Sequence, residues 1–201
     1  GIGHFPLAIL DPGDEVLMPD PGYPVYFAGT IFAGAVPVRY ALRESNGFLP
    51  DLSELDRLAT PRTRVVWVNY PNNPTGAVVP DGFFERVVEL ARQHQILVVH
   101  DNAYSETTYD GYVAPSFLAT PGAKEVGVEV FSLSKGFIMT GWRCAAILGN
   151  HPINGITRYL DTDGATRIEL EFPVRICNIA NGREEIGKLF DRSPEAARKL
   201  W

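Results

Sequence analysis

Arg64-Val65-Val66-Trp67-Val68-Asn69-Tyr70-Pro71-Asn72-Asn73-Pro74-Thr75-Gly76 runs from an apolar, largely β-branched segment straight into turn chemistry. With no strict alternation of polar and apolar residues, such a run reads as a strand buried on both faces, and the Asn/Pro/Gly cluster marks its exit. Three further runs share this character: Glu15–Met18, Ile96–Asp101 and Val128–Ser134. Between the second and third strands, Asp81–Gln95 places Phe84, Val87, Val88 and Ala91 at i, i+3, i+4 and i+7, which predicts an amphipathic helix with Asp81 as its N-cap. Asp51, with Glu54 three residues on, starts another helix carrying Leu55 and Leu58. Strands alternating with helices predict an α/β fold, a mainly parallel sheet flanked by helices.

The 201 residues are 45% hydrophobic, enough to bury a sizeable core. Lys and Arg total 18 against 24 Asp and Glu, a net charge of −6, and no basic run is interleaved with aromatics. Nucleic acids and anionic membranes are therefore set aside as main partners. Cys144 and Cys177 stand far apart with no His cluster nearby, so neither a disulfide framework nor a zinc site is indicated, and a reducing cytoplasm fits best. His4, His94, His100 and His151 have no mutual spacing of metal ligands. No apolar stretch reaches the roughly 18 residues that a membrane span needs. Gly1–Leu10 lacks an initiating Met, a helix cap and the charged start of a secretory signal, which predicts a chain that begins inside an element.

In open α/β sheets ligands sit beyond the carboxyl ends of the strands, so the exits hold the chemistry. Three exits carry it: Asn73-Pro74-Thr75-Gly76, Asp101-Asn102-Ala103-Tyr104 and Ser132-Leu133-Ser134-Lys135. Their spacings, 28 residues from Asn73 to Asp101 and 34 from Asp101 to Lys135, each allow a crossover back to the same edge. An amide, a carboxylate with a phenol, and an amine then converge. Lys135 between Ser hydroxyls, with Arg143 nearby, suits pyridoxal phosphate (PLP): the amine bonds the aldehyde, while hydroxyls and a guanidinium hold the phosphate. Asp101 can keep the pyridine nitrogen protonated, Tyr104 and Asn73 can hydrogen-bond the phenolic oxygen, and Tyr23 in its Pro-rich turn offers a face for stacking.

Each residue also has a plainer role. Lys135 alone is a solvated loop residue, Asp101 a helix cap, Tyr104 an interface aromatic, Tyr23 a packing residue and Asn73 part of a common turn. Ser132 and Ser134 could satisfy loop backbone, and Arg143 could pair with a surface carboxylate. Their order on successive strand exits, in the types one cofactor needs, is what sets the functional reading apart.

Pro21-Gly22-Tyr23-Pro24-Val25-Tyr26, Asn69-Tyr70-Pro71-Asn72-Asn73-Pro74-Thr75-Gly76, His100-Asp101-Asn102-Ala103-Tyr104-Ser105-Glu106, and Ser132-Leu133-Ser134-Lys135 with Thr140-Gly141-Trp142-Arg143 resemble the class I/II aminotransferases of PLP fold type I. Within them, Asp11-Pro12-Gly13-Asp14, Asn46-Gly47-Phe48-Leu49-Pro50-Asp51-Leu52 and Pro115-Ser116-Phe117-Leu118 look most like the LL-diaminopimelate aminotransferase branch. The resemblance implies Lys135 as the lysine that binds PLP and moves a proton at the substrate α-carbon. It implies Asp101 at the pyridine nitrogen, Tyr104 and Asn73 at the phenolic oxygen, Tyr23 on the ring, and Ser132, Arg143 and more weakly Ser134 at the phosphate. The implied reaction moves an amino group between an amino acid, LL-diaminopimelate in the nearest branch, and a 2-oxo acid such as 2-oxoglutarate. The implied assembly is a homodimer, and the implied setting lysine biosynthesis.

The resemblance covers about 1–150, an incomplete PLP-binding large domain of a family roughly twice this length. Residues 151–201 form an unassigned tail: none of its arginines falls in a motif matching the family's carboxylate clamp. Ile168, Leu170 and Phe172 alternate with charged residues as in a strand, and Ser193-Pro194-Glu195 opens a short helix. Gly136 and Ile138 stand where the relatives carry polar residues. Two other readings compete. A lyase or synthase of the same fold would share Lys135, Asp101 and Tyr104, and a truncated domain of that fold would bind a partner without turnover.

Overall fold

The computed structural model describes residues 2–142 and 144–149, and the backbone of 174–178. The chain runs through α1 (Phe5–Ile9), β1 (Glu15–Asp20), α2 (Pro24–Phe32), β2 (Val36–Ala41), α3 (Leu52–Leu58), β3 (Thr63–Asn69) and α4 (Phe83–His94). It continues through β4 (Leu97–Asn102), α5 (Ala123–Val126), β5 (Gly127–Ser132), α6 (Leu133–Gly136), β6 (Cys144–Gly149) and β7 (Val174–Asn178). Among the described residues these strands form one sheet in the order β2-β1-β3-β4-β5-β6-β7. The first five in that order pair in parallel; β6 lies antiparallel to β5, and β7 antiparallel to β6. The α/β reading is correct, and the exits of β3, β4 and β5 lie side by side.

The unbroken apolar runs have the predicted cause. Val66, Val68 and Val98 pack on one side of the sheet against Phe83, Phe84, Val87, Val88 and Ala91 of α4 and Leu55 of α3. Val65, Trp67, Val99, Val128 and Val130 pack on the other side against Phe5 and Tyr26. Alternate residues of one strand thus feed two separate cores, each buried Val or Phe contributing about 1.5–3 kcal/mol. α4 follows the expected period, but Asp81 is not its cap. The residue at the helix start is Gly82, at φ 76°, where a side chain is disfavoured; Phe83 N bonds to the Pro80 carbonyl instead, so the chain enters by a turn. Asp51 does cap α3, its carboxylate accepting from Ser53 N at 2.9 Å. The Glu54 carboxylate does not reach back to complete a capping box; it pairs with Arg43 at 2.8 Å.

Three strands, the helix α2 and the short helices α1, α5 and α6 were not expected. β2 is an edge strand interrupted by Pro37 and Arg39, and β6 opens on the small residues Cys144, Ala145 and Ala146, with Ile147 and Leu148 its only large apolar side chains. β7 lies beyond the four runs recognised in the sequence. α2 begins at Pro24, a residue suited to the first helical position, which in the sequence reads as part of a turn. The alternating segment 167–172 and the Ser193-Pro194-Glu195 helix start lie outside the described residues. No helix among the described residues is long and apolar enough to cross a membrane.

Candidate active site

Asp101 lies inside β4, one residue before its end, and is buried. It caps no helix. Its Oδ2 accepts a 2.7 Å hydrogen bond from the Tyr26 hydroxyl, and Oδ1 has no donor among the described residues. Burial pushes the Asp101 carboxyl above its ordinary value, against the opposing pull of the Tyr26 hydrogen bond and of His100. Tyr26 belongs to α2 and stacks on Trp67 with ring centroids 4.6 Å apart. Burial, reinforced by the charge of Asp101, pushes the Tyr26 phenol well up, so it stays a donor.

The groups expected around Asp101 come together at the strand exits. Tyr23 precedes the first residue of α2 and packs edge-on against Tyr26 at 5.8 Å between ring centroids. Tyr104 follows β4; its phenol is pushed up by partial burial and by the charges of Asp101 and Tyr23, while a hydrogen bond with the Asn73 side chain pulls the other way. The Lys135 ammonium nitrogen lies 5.8 Å from the centre of the Tyr104 ring, in cation–π range. The cluster therefore joins an acid, three phenols, an amide and an amine from the start of α2 and the exits of β3, β4 and β5.

Lys135 sits in α6, a single helical turn directly after β5. Ser132 caps that turn, its Oγ accepting from Ser134 N at 3.2 Å, which leaves the hydroxyl proton for another acceptor. The Ser134 carbonyl accepts from Thr140 Oγ1 at 2.8 Å, tying the turn to the following segment. Gly136 is required by its neighbour: a Cβ there would lie 2.4 Å from Glu106 Cβ. Arg143 lies outside the described residues. Tyr26 is the site residue the sequence reading passed over; it stands in the quoted Pro21–Tyr26 motif, three residues after Tyr23, but its partner is 75 residues away.

A family model for aminotransferases of class I and II matches residues 1–177. This chain belongs to the class I and II aminotransferase family. Two curated relatives of this aminotransferase-family chain are LL-diaminopimelate aminotransferases. That of Desulforudis audaxviator is 55% identical over 150 residues, which is 75% of this chain and 38% of the relative. That of Moorella thermoacetica is 56% identical over 143 residues, 71% of this chain and 37% of the relative. The chain therefore spans less than two fifths of the length of either protein. Among solved structures, substrate-bound BacF from Bacillus subtilis matches with a TM-score of 0.74 at 39% identity, covering 79% of this chain and 40% of that one.

Proposed function

We propose that this aminotransferase-family chain is the PLP-holding part of an enzyme that moves an amino group between an amino acid and a 2-oxo acid. The finer donor and acceptor are LL-diaminopimelate and 2-oxoglutarate, a reading supported by the relatives of that name, and with it a place in lysine biosynthesis. The observation that carries the reading is Asp101: a buried carboxylate with one donor among the described residues, beside an amide, two further phenols and an amine. A buried acid left short of donors is costly unless a cation completes it, and a protonated pyridine nitrogen is such a cation. The residues present thus fit PLP.

When bound, PLP supplies an electron sink for the bond broken at the substrate α-carbon. Asp101 would hold the proton on the ring nitrogen, with Tyr26 fixing its carboxylate through the 2.7 Å hydrogen bond. Tyr104 and Asn73 would hydrogen-bond the phenolic oxygen, and Tyr23 would cover one face of the ring. Lys135 would be the amine that holds the aldehyde and the base that moves a proton at the substrate α-carbon. Ser132, Ser134 and Arg143 would hold the phosphate. Residues 1–150 are the PLP-binding unit in this reading, and β7 (Val174–Asn178) from the following segment adds the last strand to its sheet. The assembly proposed is a homodimer, and Phe27, Ile31 and Phe32 on α2 offer it exposed apolar surface. Cys144 is a free thiol, in keeping with a cytoplasmic setting.

Purified chain mixed with PLP is expected to show the visible absorbance of lysine-bound cofactor, and Lys135→Ala to abolish it. The same spectrum in wild type and variant would remove Lys135 from the mechanism.

A further inference from the structure

Asn69 is the last residue of β3 and is buried. Its Nδ2 donates to the main-chain carbonyl of Asp101 at 2.8 Å, and its Oδ1 accepts from the main-chain N–H of Asn73 at 2.8 Å. The parallel register sets Asn69 directly opposite Asp101. One planar carboxamide therefore ties together the backbones of the two residues that face different atoms of the cofactor ring in the reading above. The turn beyond also hangs from this residue. The Asn69 carbonyl accepts from Asn72 Nδ2 at 3.2 Å, and Asn72 Oδ1 accepts from Thr75 N at 3.2 Å and Thr75 Oγ1 at 2.7 Å.

We infer that Asn69 is a positioning residue: its carboxamide sets the distance between the Asp101 carboxylate and the Asn73 amide to match the ring nitrogen and phenolic oxygen of PLP. The inference rests on the proposed PLP reading. An aromatic ring cannot stretch, so groups that bind two of its atoms must be held at one spacing before it arrives. Asn suits the position because the site needs a donor and an acceptor in one short rigid group. Asp would set a carboxylate oxygen against the Asp101 carbonyl, and an apolar side chain would remove both the donor to that carbonyl and the acceptor for the half-buried Asn73 N–H.

The test follows PLP binding and the pH midpoint of the visible band in wild type, Asn69→Ala, Asn69→Ser and Leu55→Ala. Leu55 is buried in the opposite core and controls for loss of stability alone. Asn69→Ala is expected to bind PLP at least tenfold more weakly and to move the midpoint upward, because Asn73 no longer steadies the charged phenolic oxygen. Asn69→Ser, which keeps a single hydroxyl, is expected to fall between, and it carries the test should Asn69→Ala not fold. Leu55→Ala is expected to lower the thermal midpoint and leave the band where it was. A wild-type band that depends on Lys135, with Asn69 variants that match Leu55→Ala, overturns the inference alone. No Lys135-dependent band in wild type overturns the PLP reading itself.

Discussion

Glu129 and Asp101 are buried acids on adjacent strands, yet they face opposite layers of the sheet and are treated in opposite ways. Glu129 lies opposite His100 and meets the His100 ring at 3.1 Å, Asn102 Nδ2 at 3.1 Å, the Ser116 hydroxyl at 3.1 Å and Phe117 N at 2.7 Å. Asp101 has Tyr26. Burial works to raise Glu129, but the donors around it, His100 foremost, hold its carboxyl below the ordinary value; Asp101 goes the other way. Burial alone therefore does not mark a functional acid. The number of donors does: a saturated carboxylate braces strands, and one left short is open to a cation from outside.

The sharpest break in this comparison comes from Glu129→Gln, which sets an amide N–H against groups that are themselves donors. Urea unfolding at neutral pH is expected to show a loss of about 3–5 kcal/mol, as for other buried pairs stripped of one partner. Because the folded-state pKa of Glu129 is depressed, its contribution is present above the unfolded value and lost as pH falls through the folded one. The gap between wild type and variant should therefore close in acid.

Asp101→Asn should act in the opposite sense. A carboxyl whose folded pKa is raised favours the fold below its unfolded value, and that advantage is lost as pH rises through the folded value. Without PLP, the variant is expected to melt higher than wild type at neutral pH and alike in acid. With PLP it should gain no stability, whereas wild type should. A variant that melts lower at neutral pH, or is stabilised by PLP equally, would place Asp101 with Glu129 among the bracing acids.

The smallest expected effect is on the rim beside Lys135. Ile138 is 91% exposed and sits at φ 55°, a left-handed conformation poorly suited to a β-branched side chain. Ile138→Gly or Ile138→Asn is expected to add about 1 kcal/mol in denaturant unfolding and to leave PLP affinity unchanged. The rim beside Lys135 thus carries backbone strain, in contrast to the well-donated Glu129 carboxylate on the other side of the sheet.

What was legible in the sequence follows the same division. β1, β3, β4, β5 and α4 were readable because residues buried on two faces, or along one helical stripe, leave an apolar pattern that survives in one dimension. β2 and β6 were not, since one is a Pro-bearing edge strand and the other has only two large apolar residues, Ile147 and Leu148, with no β-branched or aromatic run around them. The neighbourhood of the candidate site was legible as an order of exits, Asn73 then Asp101 then Lys135, because parallel pairing brings consecutive exits to one edge. Tyr26 and Asn69 stood in recognised motifs, but what each does depends on a bond to Asp101, 75 and 32 residues away in sequence, which no local pattern records.

The central claim is that Asp101 is a carboxylate held ready for a cation that PLP brings. NMR titration of carboxyl-labelled aspartate, with the Asp101 signal assigned by its loss in Asp101→Asn, tests it most directly. The expected result is a midpoint above the ordinary carboxylate range in the chain alone, falling well below it once PLP is bound. A midpoint in the ordinary range that PLP leaves unmoved would contradict the account.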